Sequence, residues 1–115
     1  MARRSPWAFL SLACSASSLA DDDAVDVARA VGRSLLVKTA IFGRDPNWGR
    51  ILGAVGSTSA AFEPDRVDVS VNGIAVCRAG AAGADRSLVD LSGREVTIDI
   101  DLGAGPEQAT ILTTD

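Results

Sequence analysis

Histidine is absent from this 115-residue chain, and cysteine occurs only as Cys14 and Cys77. Without imidazole the acidic run Asp21-Asp22-Asp23 makes a poor metal site, and the two cysteines do not have zinc-ligand spacing. The metal expectation is therefore none. Thiol catalysis suffers from the same lack: Cys77 has no histidine to act as its base, so it reads as a buried strand thiol. The two cysteines can form one bridge at most. An excess of basic charge is missing too. Eleven Lys and Arg stand against 15 Asp and Glu, a net charge of −4, which argues against a phosphate-binding surface and hence against a nucleic-acid partner. Nor does the apolar stretch near the N terminus have the length of a membrane-spanning helix, and no membrane partner is expected.

What is there suffices for one folded unit. The chain is 47% hydrophobic with a mean hydropathy of +0.20, enough apolar material for a single core. Its first twenty residues stand apart. MARR, then SPWAFLSLACSA, then SSLADDD has a positive start, a short apolar segment and a small-residue step at Ser18-Leu19-Ala20, the general form of a secretory signal. We divide the chain at this point: residues 1–22 as a stretch foreign to the fold, signal-like or the product of a misplaced start, and residues 23–115 as the domain.

From Asp23 the pattern is helical. Ala24, Val27, Ala28, Val31 and Leu35 recur on one face, with Asp26, Arg29 and Arg33 opposite and Asp22 or Asp23 as the N-cap. Gly32 marks either a close approach by a neighbour or a bend. Leu36 to Phe42 is a short apolar run rich in β-branched residues, read as a buried strand or extended segment. Lys38 interrupts it, either as a surface side chain laid over apolar neighbours or as a cation beside a carboxylate substrate.

The block GRDPNWGR, Gly43 to Arg50, carries the densest signal. Gly43 lets the chain turn, Asp45 can cap a helix, and Pro46 suits the first helical position, where its missing N–H is not needed. As structure, Trp48, Ile51, Leu52 and Val55 pack that helix onto a sheet, and Arg50 pairs with an acid such as Asp45. As function, free N–H groups with Arg44 and Arg50 nearby offer positive potential to a substrate carboxylate. Both readings stand, because one loop can do both. The candidate pocket residues are Lys38, Arg44, Asp45, Asn47 and Arg50.

After the loop STSAAFEPDR, Val67, Val69 and Val71 alternate with Asp68 and Ser70. Asn72-Gly73 then supplies a left-handed pair for a tight hairpin, and Ile74 to Cys77 returns. Arg78 to Arg86 reads as loop, with a short turn or strand at Leu88 to Leu91. Val96, Ile98, Ile100 and Leu102 then alternate with Thr97, Asp99 and Asp101 as a strand with one wet face. Gln108 to Thr114 is expected to pair with that strand as a second hairpin. The sum is an α+β fold, a mixed or antiparallel sheet with two hairpins and helices packed on one face.

Four segments together resemble one family: the helix AVDVARAVGRSLLVKTA, the block DPNWGRILGAVG, the hairpin DRVDVSVNGIAVC and the closing VDLSGREVTIDIDLGAGPEQATILTTD. From Ala24 to Asp115 the chain is similar to the C-terminal part of the β chain of the bifunctional ornithine acetyltransferase / glutamate N-acetyltransferase family of arginine biosynthesis. The resemblance implies acetyl transfer from N2-acetylornithine to glutamate through an acetyl-threonine intermediate, with acetyl-CoA as a further possible donor and no bound cofactor. It implies a cytoplasmic enzyme of α2β2 type, whose α chain and second β chain are the partners. The family's nucleophile is a threonine freed by self-cleavage at an Ala-Thr bond. Ala109-Thr110 is the only such pair here, and it lies in an expected strand without the surrounding motif, so we reject it. The catalytic set expected in this chain is therefore none: a family fragment, inactive alone. Two other classes fit the residues, a non-catalytic subunit-interaction piece and, if residues 1–20 are a true signal, a small exported protein that binds anions or amino acids.

Overall fold

The computed structural model describes residues 11–18, 21–60, 62–103 and 107–114. Strand β1 (Ser11–Ser18) leads into three helices, α1 (Asp21–Arg33), α2 (Leu35–Phe42) and α3 (Trp48–Gly56). Strands β2 (Asp68–Val71), β3 (Ile74–Arg78), β4 (Ala81–Ala82), β5 (Glu95–Asp101) and β6 (Glu107–Thr114) follow. All six strands form one mixed sheet in the order β4-β3-β2-β5-β1-β6, so the α+β class holds. Among the described residues no helix is long and apolar enough to cross a membrane.

Strand β1 overturns part of the sequence reading. Residues 11–18 are not foreign to the fold: the strand runs parallel to β5 and antiparallel to β6, with Leu12, Cys14 and Ala16 buried. The physical reason is a period of two that Ala and Ser residues disguise. Leu12, Cys14 and Ala16 face the core while Ala13, Ser15 and Ser17 stand on the other side. Residues 1–10, which carry the positive start of the signal-like pattern, and Leu19-Ala20 at its small-residue step lie outside the described residues.

The same strand corrects the second hairpin. β5 and β6 are not neighbours, because β1 lies between them and bonds to both. Alternation within a strand follows from its own residues, whereas the choice of neighbour does not. The first hairpin is as expected. Asn72 and Gly73 take φ values of 50° and 83°, and Val67, Val69 and Val71 are fully buried. A short third strand, β4, continues antiparallel to β3 within the stretch read as loop.

Leu36 to Phe42 is helix rather than strand. Ser34 caps it by accepting a hydrogen bond from the Val37 N–H at 3.2 Å, and Val37, Ala40 and Ile41 make a buried stripe at helical spacing. The exposed Leu36 hides that stripe from the sequence. Leu35, expected on the buried face of α1, is 75% exposed, because the chain breaks at Ser34 and restarts. Gly32 resolves as close approach: a Cβ there would lie 3.4 Å from Thr113 Cγ2 and 3.8 Å from Cys14 Sγ. Helix α1 thus lies directly on β1 and β6.

The opposite sheet face is polar and acidic. Asp68 on β2 stands directly opposite Asp101 on β5, and Asp99 is flanked by Ser70 and Ser15. Burial pushes the Asp99 carboxyl above its usual value. A raised carboxyl pKa means that the native state holds its proton more tightly than the unfolded chain. Stability is therefore complete below the ordinary carboxylate pKa and falls as pH rises through the raised value. Asp99→Asn is expected to raise the melting temperature at pH 7 and to change it less at pH 3. Thermal melts at the two pH values check this, and an equal shift at both would contradict it.

Candidate functional site

The block from Gly43 to Arg50 is the corner between α2 and α3, and its backbone closes in a specific way. Asp45 N–H donates to the Ala40 carbonyl at 2.8 Å and Arg44 N–H to the Ile41 carbonyl at 2.9 Å. These two bonds form a Schellman closure of α2, which needs a left-handed residue just past the helix end. That residue is Arg44, at φ 58°, whereas Gly43 has φ −79°. The sequence reading gave the turn to Gly43. The structure gives it to an arginine, at a cost of about 1 kcal/mol relative to glycine.

Asp45 does not cap α3 and Pro46 does not begin it. Asn47 is the N-cap, its Oδ1 accepting from Arg50 N–H at 3.1 Å, and Trp48 is the first helical residue. The Asn47 Nδ2 donates back to Asp45 Oδ2 at 3.2 Å, which ties cap to corner. Pro46 is buried beneath them. Arg50 does not pair with Asp45. Its Nη1 donates to the Leu36 carbonyl at 3.1 Å, bracing α3 against the first turn of α2. Trp48 is half-buried against the core that Ile51 and Val55 enter fully.

The partner of Asp45 comes from elsewhere. Arg86, at the head of a 3-10 turn (Arg86–Leu88), reaches Asp45 Oδ1 at 3.2 Å. Both side chains are about half exposed, so the pair adds little to stability and chiefly fixes geometry. The turn is set by Asp85, which accepts from Ser87 N–H at 2.9 Å; those bonds hold the Asp85 carboxyl below the usual range. Asp90 is built likewise. Ser92 donates from its hydroxyl at 2.6 Å and its N–H at 2.9 Å, and these bonds, with the Arg44 guanidinium beside them, keep the Asp90 carboxyl low. The Asp90 carbonyl in turn accepts from Asn72 Nδ2 at 2.8 Å.

Arg44, Asp45, Asn47 and Arg86 therefore converge, with Asp90 close by, where the α2–α3 corner meets the loop before β5. Arg86 and Asp90 were missed in the sequence because they sit in a stretch read as loop and short turn. The signal available was the repeated Asp-x-Ser spacing at 85–87 and 90–92, the mark of side chains that bond two residues ahead. Lys38 lies apart on α2, half-buried, with its charge felt at the Cys14 thiol. Burial dominates there, and the Cys14 thiol is pushed up to about 12. Arg50 faces a second feature, an open groove of about 680 Å³ between the helices, lined by Arg33, Leu36, Gly49 and Gly53. No cluster of His, Cys, Asp or Glu suited to a metal ion occurs among the described residues.

A mixed sheet with one helical layer and a charged, hydrogen-bonded corner at the helix ends defines an α+β domain whose polar groups gather at one place. The chain belongs to the ArgJ family, which matches it over residues 13–115. It is 56% identical over 94 residues to the arginine biosynthesis bifunctional protein ArgJ of Thermobifida fusca, covering 82% of this chain and 24% of that protein. The ArgJ protein of Streptomyces avermitilis is 57% identical over 95 residues, covering 83% and 25%. The chain thus spans about a quarter of the length of these curated relatives. A crystal structure of the ArgJ protein from Bacillus halodurans superposes with a TM-score of 0.85 at 25% identity, covering 94% of this chain and 53% of that one.

Two substitutions separate scaffold from site at the corner. Asn47→Ala removes the cap of α3 and should cost about 1 kcal/mol of stability, read as a lower denaturant midpoint. Arg44→Gly relieves the left-handed strain and should raise stability by up to about 1 kcal/mol. A clear loss of stability in Arg44→Gly would show that the guanidinium itself holds the corner.

Proposed function

We propose that this chain is the scaffold and substrate-corner portion of an acetyl-exchange enzyme of arginine biosynthesis. The reaction passes an acetyl group from N2-acetylornithine to glutamate, with acetyl-CoA as an alternative donor. In the complete enzyme a threonine hydroxyl attacks the acetyl carbonyl, the ester forms, and ornithine leaves carrying the proton on its amine. The glutamate amine then attacks the ester, and the threonine oxygen regains its proton. That threonine lies in the part of the protein that this chain does not include. The chain alone is therefore inactive, and its partners are the remainder of the parent enzyme in an α2β2 assembly.

Within that scheme Arg44 and Arg86 supply positive potential for the α-carboxylate common to both substrates. Asp45 and Asn47 fix the direction of Arg86 and of the first turn of α3. The observation that supports the reading best is the left-handed arginine. A bulky residue held at φ 58°, where glycine would cost nothing, suits a guanidinium needed at that place. A subunit-contact role alone is the second reading, favoured by Leu35 and Leu36, 75% and 62% exposed beside the helical groove.

A chimera distinguishes the two. Residues 24–115 replace the matching segment of the Thermobifida fusca relative, and acetyl transfer from acetylornithine to glutamate is assayed. We expect activity in the chimera and none in the isolated chain. Arg44→Gly in the chimera should raise KM for glutamate about tenfold, the loss of roughly 1.4 kcal/mol of carboxylate binding, without lowering the melting temperature. Unchanged kinetics would leave the corner a structural contact only.

A further inference from the structure

The tip of the β2–β3 hairpin reaches beyond its own turn. Asn72 N–H donates to the Thr97 carbonyl at 2.8 Å, and Asn72 Oδ1 accepts from Thr97 N–H at 2.8 Å. The side chain thus adds one more step to the β2–β5 ladder, past the pair Val71 and Ile98. Its Nδ2 donates to the Asp90 carbonyl at 2.8 Å, in the loop before β5.

The turn alone does not demand this side chain. At φ 50° the chain accepts glycine, asparagine or aspartate. Glycine would supply neither side-chain bond. Aspartate would keep an acceptor for Thr97 N–H but would set a carboxylate oxygen against the Asp90 carbonyl, where a donor is needed. Of the three, asparagine alone meets the backbone conformation, the ladder step and the Asp90 contact.

Arg86 hangs on that contact. It lies four residues before Asp90, and the chain between them is closed on itself: Leu88 N–H donates to the Asp85 carbonyl at 3.0 Å and Val89 N–H to the Arg86 carbonyl at 3.1 Å. Ser92 closes on the Asp90 carboxylate from the other side. Residues 85–92 are therefore linked small turns that move together. Arg86, Ser87 and Leu88 are exposed and have little packing of their own. Nor can the Arg86–Asp45 pair place this piece, because both side chains are about half exposed and such a pair is weak. Its place is set by the main chain instead. Ala84 N–H is bonded to the Ala75 carbonyl at 2.8 Å before it, Leu91 is buried at its end, and Asn72 grips it at Asp90.

We propose that Asn72 is a positioning residue for Arg86: through the Asp90 carbonyl it holds residues 85–92 where Arg86 meets Asp45 and faces the incoming carboxylate. This role rests on the substrate-corner reading above. It makes the hairpin tip a third support of the corner, beside the Schellman closure of α2 and the Asn47 cap of α3.

Asn72→Asp isolates the bond to Asp90, since the ladder bond to Thr97 survives. In the chimera carrying residues 24–115 it should raise KM for glutamate about fivefold, the change that one hydrogen bond carries, with kcat nearly unchanged. Asn72→Gly keeps the turn and adds no charge, and should raise KM in the same way. Arg86→Gln should raise KM at least as far, and Asn72→Asp added to it should change KM little further, as expected of residues that act through one another. In the 115-residue chain Asn72→Asp should speed tryptic cleavage after Arg86 about fivefold by local opening, with cleavage after Arg66 unchanged. If Arg86→Gln raises KM and the Asn72 variants do not, Asn72 has no positioning role and the substrate corner stands. If none of them raises KM, both fall. Full additivity of Asn72→Asp and Arg86→Gln, or a cleavage rate after Arg86 indifferent to Asn72→Asp, also overturns the role of Asn72.

Discussion

The structure depends on β1 lying between β5 and β6. Its parallel register with β5 and antiparallel register with β6 join the two halves of the sheet, and its side chains at Cys14 and Ala16 are small. Small residues there and at Gly32 let α1 come down onto the strands, close enough that an added Cβ would touch Thr113 and Cys14. Once α1 is fixed at that height, α2 and α3 follow in the same layer, with Val37, Ile41, Ile51 and Val55 reaching the core that the inner face of the sheet provides. The α2–α3 corner is then held where it can meet the loop before β5. A larger residue at 14, 16 or 32 would lift the layer and separate Asp45 from Arg86.

How much of this was legible follows from how local each signal is. The hairpin at Asn72-Gly73 and the alternation of β5 were plain, because turn chemistry and a period of two are written in consecutive residues. Helix α1 was plain for the same reason. Strand β1 was not, since serine and alanine on its two faces blur the alternation, and a run of small apolar residues after MARR also fits a signal. The strand at Leu36 to Phe42 failed because Leu36, exposed here, made a helical stripe of Val37, Ala40 and Ile41 look like a continuous apolar run. Surfaces that are apolar for reasons outside the segment mislead any reading of its period.

The corner shows the same limit at the level of single residues. The sequence marked Gly43 to Arg50 as a turn leading into a helix but misassigned its parts: the left-handed turn belongs to Arg44, the cap to Asn47, and the partner of Asp45 is Arg86, 41 positions away. Gly43 drew attention because glycine is the usual left-handed residue, yet the Schellman bonds require it one position later. Local rules state which residues are cheap at a position. They do not state which expensive residue a fold retains.

That distinction bears on how the corner acts. An arginine at φ 58° persists only where neighbouring bonds overdetermine it, and here two backbone closures on α2 do so independently of the side chain. The guanidinium is thus free of any task in holding the turn, while its charge acts on Asp90. Arg86 differs, since its direction is set through Asp45, and Asp45 is set through Asn47. Under the proposed function a carboxylate arriving at the corner would compete with Asp45 for Arg86. The Arg44 side chain is exposed on a turn that the backbone closes by itself, so its charge would add to the site without an ion pair having to break.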